Sequence, residues 1–368
     1  MELRKRQFIW TIKSRMVRQS AKALRELSEK EDLFDEASID KGSKIYQKTA
    51  EDFEMARKMG CSVVTYIDDV YPERLRNIAQ PPPVLFVWGN PTLLSNTVFA
   101  GIVGARKCDD YGIRVSENFA MEIGQTGAGI VSGGALGVDA ASHRGALRAK
   151  APTVAVLGSG IDVAYPSENH GLFSAIVKEG GSVISEFSFG EPANKNNFPR
   201  RNRIIAALSD VLVVTRAGHR SGSLITASQA MDMNKTVYAV PGNIDNKLSQ
   251  GTNELIRDGA VPLLNAMDVI DELISINPDF FVREKEAGRS IYENERYIEE
   301  ETEKKSAPLE GLSEYEAEIV NIITSGADTQ NLIEERISFE PSRLTALIQM
   351  MEIKGIIKKG RGNKYAIK

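Results

Sequence analysis

Cysteine and histidine are nearly missing from this chain. Cys61 and Cys108 are the only cysteines in 368 residues, and they lie too far apart for a disulfide framework or a Cys-x-x-Cys metal site. A reducing compartment, the cytoplasm, is therefore expected. His143, His170 and His219 are the only histidines, and their spacing builds no ligand cluster, so no metal is expected. No run approaches the roughly 18 apolar residues of a membrane span, and the basic start MELRKRQFIWTIKSR lacks a signal peptide's apolar stretch. Neither a membrane partner nor export is expected. Gly-Lys never occurs, which excludes the P-loop and its triphosphate. The turn GIVGARKC lacks G-x-G-x-x-G and has no acid about 20 residues on to hold a ribose, which argues against a dinucleotide. G-x-S-x-G and H-E-x-x-H are also missing, and no cofactor is expected. The net charge of -4 argues against a surface that coats nucleic acid all over, so any anion site must be local.

What is present points to three domains. In residues 1–60 the spacing of Phe8, Ile9, Ile12, Met16, Leu24 and Leu27 predicts short amphipathic helices, a small helical (SAM-like) domain. Its first 25 residues hold eight Lys or Arg against Glu2, either a solvated helix face or a nucleic-acid contact. From 61 to 282, short apolar runs such as VFAGIVG, GIVSGG, TVAVLGSG, SVISEF and VLVVT alternate with helical stretches. Repeated βα units with uninterrupted apolar strands predict an α/β domain, a doubly wound parallel sheet covered on both faces. Residues 283–310 are charged and poor in aliphatics, which reads as a linker. Residues 311–368 read as three helices and a hairpin, a winged helix.

In such sheets ligands sit beyond the C-terminal ends of the strands. GARKC (104–108), SGGALGVD (132–139), RSGSLIT (220–226) and PGNIDNKLSQGTNE (241–254) all fall there, and they bring Arg106, Gly133, Gly134, Ser221, Gly222, Thr252 and Asn253. Adjacent glycines such as Gly133 and Gly134 can form an anion-holding concavity. NNFPRRNRIIAALSD, 196–210, adds a conflict. Pro199 suits a first helical turn, yet Arg200, Arg201 and Arg203 stand at the end of a helix that repels cations. With Lys195 the segment 195–203 carries four positive charges and no acid. Either an external anion offsets them or they pair inside the protein, for instance with Glu186 or Glu191. Phe198 beside them reads as a stacking surface for a base or as a staple onto the core. A mononucleotide or a strand would fit. The linear spread of cations with an interleaved aromatic favours single-stranded nucleic acid over one phosphate, and no basic recognition helix speaks for duplex.

The stretches YPERLRNIAQPPPVLFVWG, SGGALGVDAASHRGAL, NFPRRNRIIAALSD, RSGSLITA and VPGNIDNKLSQGTNELIRDGA closely resemble the DNA-processing protein A (DprA/Smf) family, over about residues 61–275. The resemblance implies an extended Rossmann-like domain that binds and protects incoming single-stranded DNA without catalytic turnover. It also implies a homodimer that loads RecA recombinase onto the strand in natural transformation and homologous recombination. Carried over by motif, the DNA contacts are Arg106, Gly133, Gly134, Lys195, Phe198, Arg200, Arg201 and Arg203. The chain departs from the family at Ala105, where serine is usual, at Leu136, where many members have arginine, and at Thr215, where an acid is common.

Two other functions compete. PG and GTNE are similar to the phosphate loop and glutamate of Rossmann-like nucleotide phosphoribohydrolases, with Glu254 as acid or base, but eight residues separate Gly242 from Gly251 where those enzymes have a compact loop. Alternatively the C-terminal module does the work. Its last 15 residues carry six Lys or Arg and no acid, while its third helix has Glu340 and Glu352, which suits docking better than duplex reading.

Overall fold

The computed structural model describes residues 3–17, 20–288, 313–324, 329–334, 336–340, 343–354, 356–359 and 365–367. The chain forms two compact units, Met1–Tyr292 and Glu293–Lys368. In the larger one the apolar runs become β1 (Ser62–Thr65), β2 (Val84–Gly89), β3 (Phe99–Val103), β4 (Gly129–Ser132), β5 (Thr153–Val156), β6 (Ser182–Ser185), β7 (Val211–Val214), β8 (Val237–Ala239) and β9 (Val261–Pro262). Among the described residues these make one nine-stranded sheet of order β1-β2-β6-β5-β4-β3-β7-β8-β9.

From β6 to β9 every neighbouring pair is parallel, the doubly wound α/β arrangement that the sequence predicts. The sheet is not parallel throughout, however. β1 pairs antiparallel with β2, and β2 antiparallel with β6. An apolar run carries no mark of its direction, so this extension is invisible in the sequence.

Successive strand residues point to opposite faces. Phe99, Val103, Val131, Leu212 and Val214 pack with the helices His170–Lys178, Asn197–Leu208 and Gly222–Asp232. Ala100, Ile102, Ile130, Val211 and Val213 pack with Asp110–Gly124, Val138–Arg148 and Ala266–Ile276. The N-terminal helices Leu3–Arg15, Ala21–Ser28 and Lys44–Met59 share the sheet's core: Trp10, Leu24, Leu27 and Ala56 belong to the same apolar cluster as Phe99 and Leu212. Trp10 Nε1 donates to the Pro83 carbonyl at 2.8 Å, and the buried Asp52 carboxylate accepts from Arg15 at 2.6 Å and from the Phe189 backbone at 3.1 Å. The outer edge of β1 is closed by side chains. Gln7 donates to the Val63 carbonyl at 2.9 Å and Asp68 accepts from the Thr65 N–H at 2.7 Å, which removes a template for strand pairing.

The linker expected at 283–310 begins inside a helix, Pro278–Glu286, and residues 289–310 lie outside the described ones. The smaller unit has helices Glu314–Thr324, Gln330–Glu334 and Leu344–Ile353, then the antiparallel pair β10 (Ile357–Lys359) and β11 (Tyr365–Ile367). Ile319, Ile333, Leu344, Ile348 and Met351 form its core.

Candidate functional site

β3 and β7 are neighbours from which the sheet winds in opposite senses, through β4, β5 and β6 on one side and β8 and β9 on the other. The loops beyond such a switch point diverge and leave a crevice. Helix Asn197–Leu208 links β6 to β7, so it crosses the sheet over this crevice and opens its N-terminus beside the C-terminal strand ends. A cleft of about 350 Å³ lies there, lined by Gly104 and Arg106 after β3, Ala135 and Asp139 after β4, Phe198, Pro199, Arg201 and Asn202 of the crossing helix, and Ser221, Gly222 and Thr226 after β7.

The three arginines have different fates. Arg201 is 4% exposed, and its Nη1 donates to the carbonyls of Gly133 and Val156. Gly133 has to be glycine for this: a Cβ there would lie 2.5 Å from Arg201 Nη1 and 2.6 Å from Asp139 Oδ2. Burial holds the Arg201 guanidinium down to about 10, still charged at neutral pH, and pushes the Asp139 carboxyl up against the attraction of Arg201. Arg203 is 8% exposed and donates to Glu186 at 2.6 Å. Arg200 is exposed, shares the same Glu186 oxygen at 3.1 Å, and lies 5.3 Å from the ring centroid of Phe187. The internal pairing weighed for Glu186 is therefore realised for Arg200 and Arg203, whereas Glu191 accepts from Asn197 at 3.1 Å instead. Of the three arginines expected to await an external anion, Arg203 is instead sealed against the buried Glu186 and Arg201 is anchored to two carbonyls at the cleft wall, while Arg200 stays exposed.

What stays open is the rim. Arg106 is exposed, with its guanidinium 4.3 Å from the ring centroid of Phe198. Lys195 is exposed in the loop before the helix and has no carboxylate partner among the described residues. Ser221 and Gly222 form part of the cleft wall at the start of helix Gly222–Asp232, where Ser221 Oγ lies 2.9 Å from Ser223 Oγ. Gly134, at φ 65°, stands outside the cleft lining and offers its carbonyl to Asn169 at 2.9 Å. Thr252 and Asn253 are not in the cleft lining either. Thr252 is buried and donates to the Ser249 carbonyl at 3.1 Å, while Asn253 bonds both ways with Gly242, at 2.8 and 3.2 Å. Glu254 likewise lies with His219 Nδ1, at 3.1 Å, and lines no part of the cleft. Thr215 Oγ1 lies 2.8 Å from Ser116 Oγ.

Sequence reasoning missed Arg216, Asp109, Asp139, Asn202 and Tyr165. Arg216 donates to both oxygens of Asp109, at 3.1 and 2.8 Å, while its carbonyl accepts from Ala105 at 2.8 Å. The loops after β3 and β7 are thus locked together across the switch point. Asp109 was legible as a helix N-cap, and its carboxylate does accept from Gly112 N at 2.9 Å; nothing local announces Arg216.

A family model described as DNA recombination-mediator protein A matches residues 62–274. The chain belongs to that family. It is 36% identical to the DNA processing protein DprA of Bacillus subtilis (strain 168) over 236 residues, 64% of this chain and 79% of that protein. Its fold is similar to that of DNA processing protein A from Streptococcus pneumoniae, with a TM-score of 0.61 and 32% identity over 74% of this chain and 99% of that one. DNA processing protein A from Helicobacter pylori, whose structure is described for its single-stranded DNA binding mode, matches with a TM-score of 0.53 and 31% identity over 59% of this chain and 96% of that one. Among the described residues no helix is long and apolar enough to cross a membrane.

Proposed function

We propose that this chain binds single-stranded DNA along the rim of the switch-point cleft and holds it without chemical turnover. The observation that carries the reading is the exposed Arg106 guanidinium stacked on Phe198 at the mouth of the cleft. An aromatic beside a cation is a sequence-tolerant seat for a base and its phosphate. Lys195 and Arg200 extend the positive rim, and Ser221 and Gly222 offer polar groups at the opposite wall. Gly133, Arg201 and Arg203 shape this surface from beneath. The single-stranded DNA binding of the Helicobacter pylori protein supports the same ligand here.

In this reading the chain works as a homodimer in the cytoplasm, protects incoming strands in transformation or recombination, and passes them to a RecA-type recombinase. The smaller unit, with three helices and a hairpin, is proposed as a winged-helix docking module. A nucleotide phosphoribohydrolase would need a carboxylate free to act in the cleft. Asp139 is enclosed beside Arg201, and Glu254 is engaged by His219. One titration tests the reading, with a dT oligomer, duplex of equal length and AMP as ligands. Tight binding of the oligomer alone, with no free base released from AMP, is expected; preference for duplex or release of adenine would overturn it.

A further inference from the structure

Phe198 does not stand alone at the rim, since Arg106 lies over it and Tyr165 sits 5.7 Å away at an interplanar angle of 37°. Tyr165 is the more open of the two rings, at 45% exposure, whereas Phe198 is half-buried. It belongs to the loop after β5 and borders a smaller cavity of about 60 Å³, which shares Arg106 and Phe198 with the lining of the main cleft and is lined further by Leu136, Gly158 and Pro166. Leu136, 40% exposed, is a second large apolar side chain in the open at this spot.

The loop that carries Tyr165 is anchored at both ends. Ser159 Oγ donates to the Val163 carbonyl at 2.8 Å, and Asp162 accepts from the Gly190 N–H at 2.8 Å. On the far side Asn169 Nδ2 donates to the carbonyls of Gly134 and Ala135, at 2.9 and 3.1 Å. An exposed aromatic ring on a braced loop is pre-organised, because little side-chain and backbone freedom remains to be lost when a flat partner arrives. The tyrosine hydroxyl has no hydrogen-bond partner among the described residues, so no internal bond accounts for its position.

Resting on the single-strand reading above, we propose that Tyr165, flanked by Leu136 and Pro166, is a second base-stacking platform. A strand crossing the rim lays one base at the Arg106–Phe198 pair and a neighbouring base on Tyr165. Stacking is blind to base identity but needs a base, and it releases no counterions.

The test is fluorescence anisotropy with a labelled dT oligomer and with the same backbone made abasic, on wild type, Tyr165→Ala and Tyr165→Phe. Tyr165→Ala is expected to weaken dT binding roughly 5- to 150-fold at every salt concentration, with the salt slope unchanged. Tyr165→Phe keeps the ring and should bind within about twofold of wild type. On the abasic strand wild type and Tyr165→Ala should be equal. Equal dT affinities for wild type and Tyr165→Ala would overturn the platform while leaving the single-strand reading intact. An equal loss on both strands would also overturn it, since that marks a structural defect. Wild type failing to bind the dT oligomer at all would sink the single-strand reading itself.

Discussion

Replacing Arg201 by alanine should damage the fold and spare the electrostatics of binding. Two carbonyls, of Gly133 and Val156, would lose their donor, and the Asp139 carboxylate, 7% exposed, would lose the cation that offsets its burial. Breaking such a buried arrangement from one side costs about 3–5 kcal/mol. At about 2–4 °C per kcal/mol for a unit of this size, the melting temperature should fall by about 6–20 °C. The deficit depends on pH with a definite sign. Burial already raises the Asp139 carboxyl above its unfolded value, and losing Arg201 removes an opposing pull, so the folded variant keeps the Asp139 proton to a higher pH than the unfolded chain does. Stability then falls as pH rises, and the gap to wild type should narrow as pH is lowered from neutral toward the ordinary carboxylate range. Calorimetry across that range measures the gap, and anisotropy well below the transition measures dT binding. A variant that melts like wild type but whose log-affinity against log-salt slope is shallower by about 0.7 would refute the reasoning, because Arg201 would then be a phosphate contact.

Other substitutions separate rim from support. Arg106→Ala should leave melting within about 0.5 kcal/mol of wild type, yet weaken dT binding and flatten its salt slope by about 0.7. Gly133→Ala puts a Cβ 2.5 Å from Arg201 Nη1, and denaturant titration should show a loss of about 1–3 kcal/mol. Glu186→Gln leaves the buried Arg203 without its countercharge, so calorimetry should show a loss of roughly 3–5 kcal/mol.

The strands were legible as short apolar runs bounded by glycine, proline or polar residues, and the parallel strands β3 to β7, buried along their length, are written that way most plainly. The placing of a crevice followed from the same pattern, since loops after parallel strands gather at one edge. The direction of β1 and β2 was hidden, as was the merging of the first 60 residues into the sheet's core, because Trp10 and Leu24 read alike in a free-standing bundle and against a sheet. The surroundings of the arginines were only partly legible. Helix-end electrostatics counts charge along the axis, but Arg201 turns inward to Gly133, far away in sequence, which no spacing rule reports, whereas Glu186, the partner of Arg203, was close enough to be weighed. Thr252 and Asn253 read as part of a phosphate-compatible loop; in the structure Asn253 braces the turn at Gly242 and Thr252 bonds to the Ser249 carbonyl. Tyr165 and Arg216, single residues in loops, left no periodic trace.

The central claim is that a strand is held by the exposed rim, Arg106, Lys195 and Arg200, rather than by the whole cationic segment. The most direct test is the slope of log affinity for a dT oligomer against log salt, in wild type and in the triple alanine variant of those positions. Three phosphates predict a slope of about -2 for wild type and one near zero for the variant. A slope near -2 that survives in the variant would contradict the account.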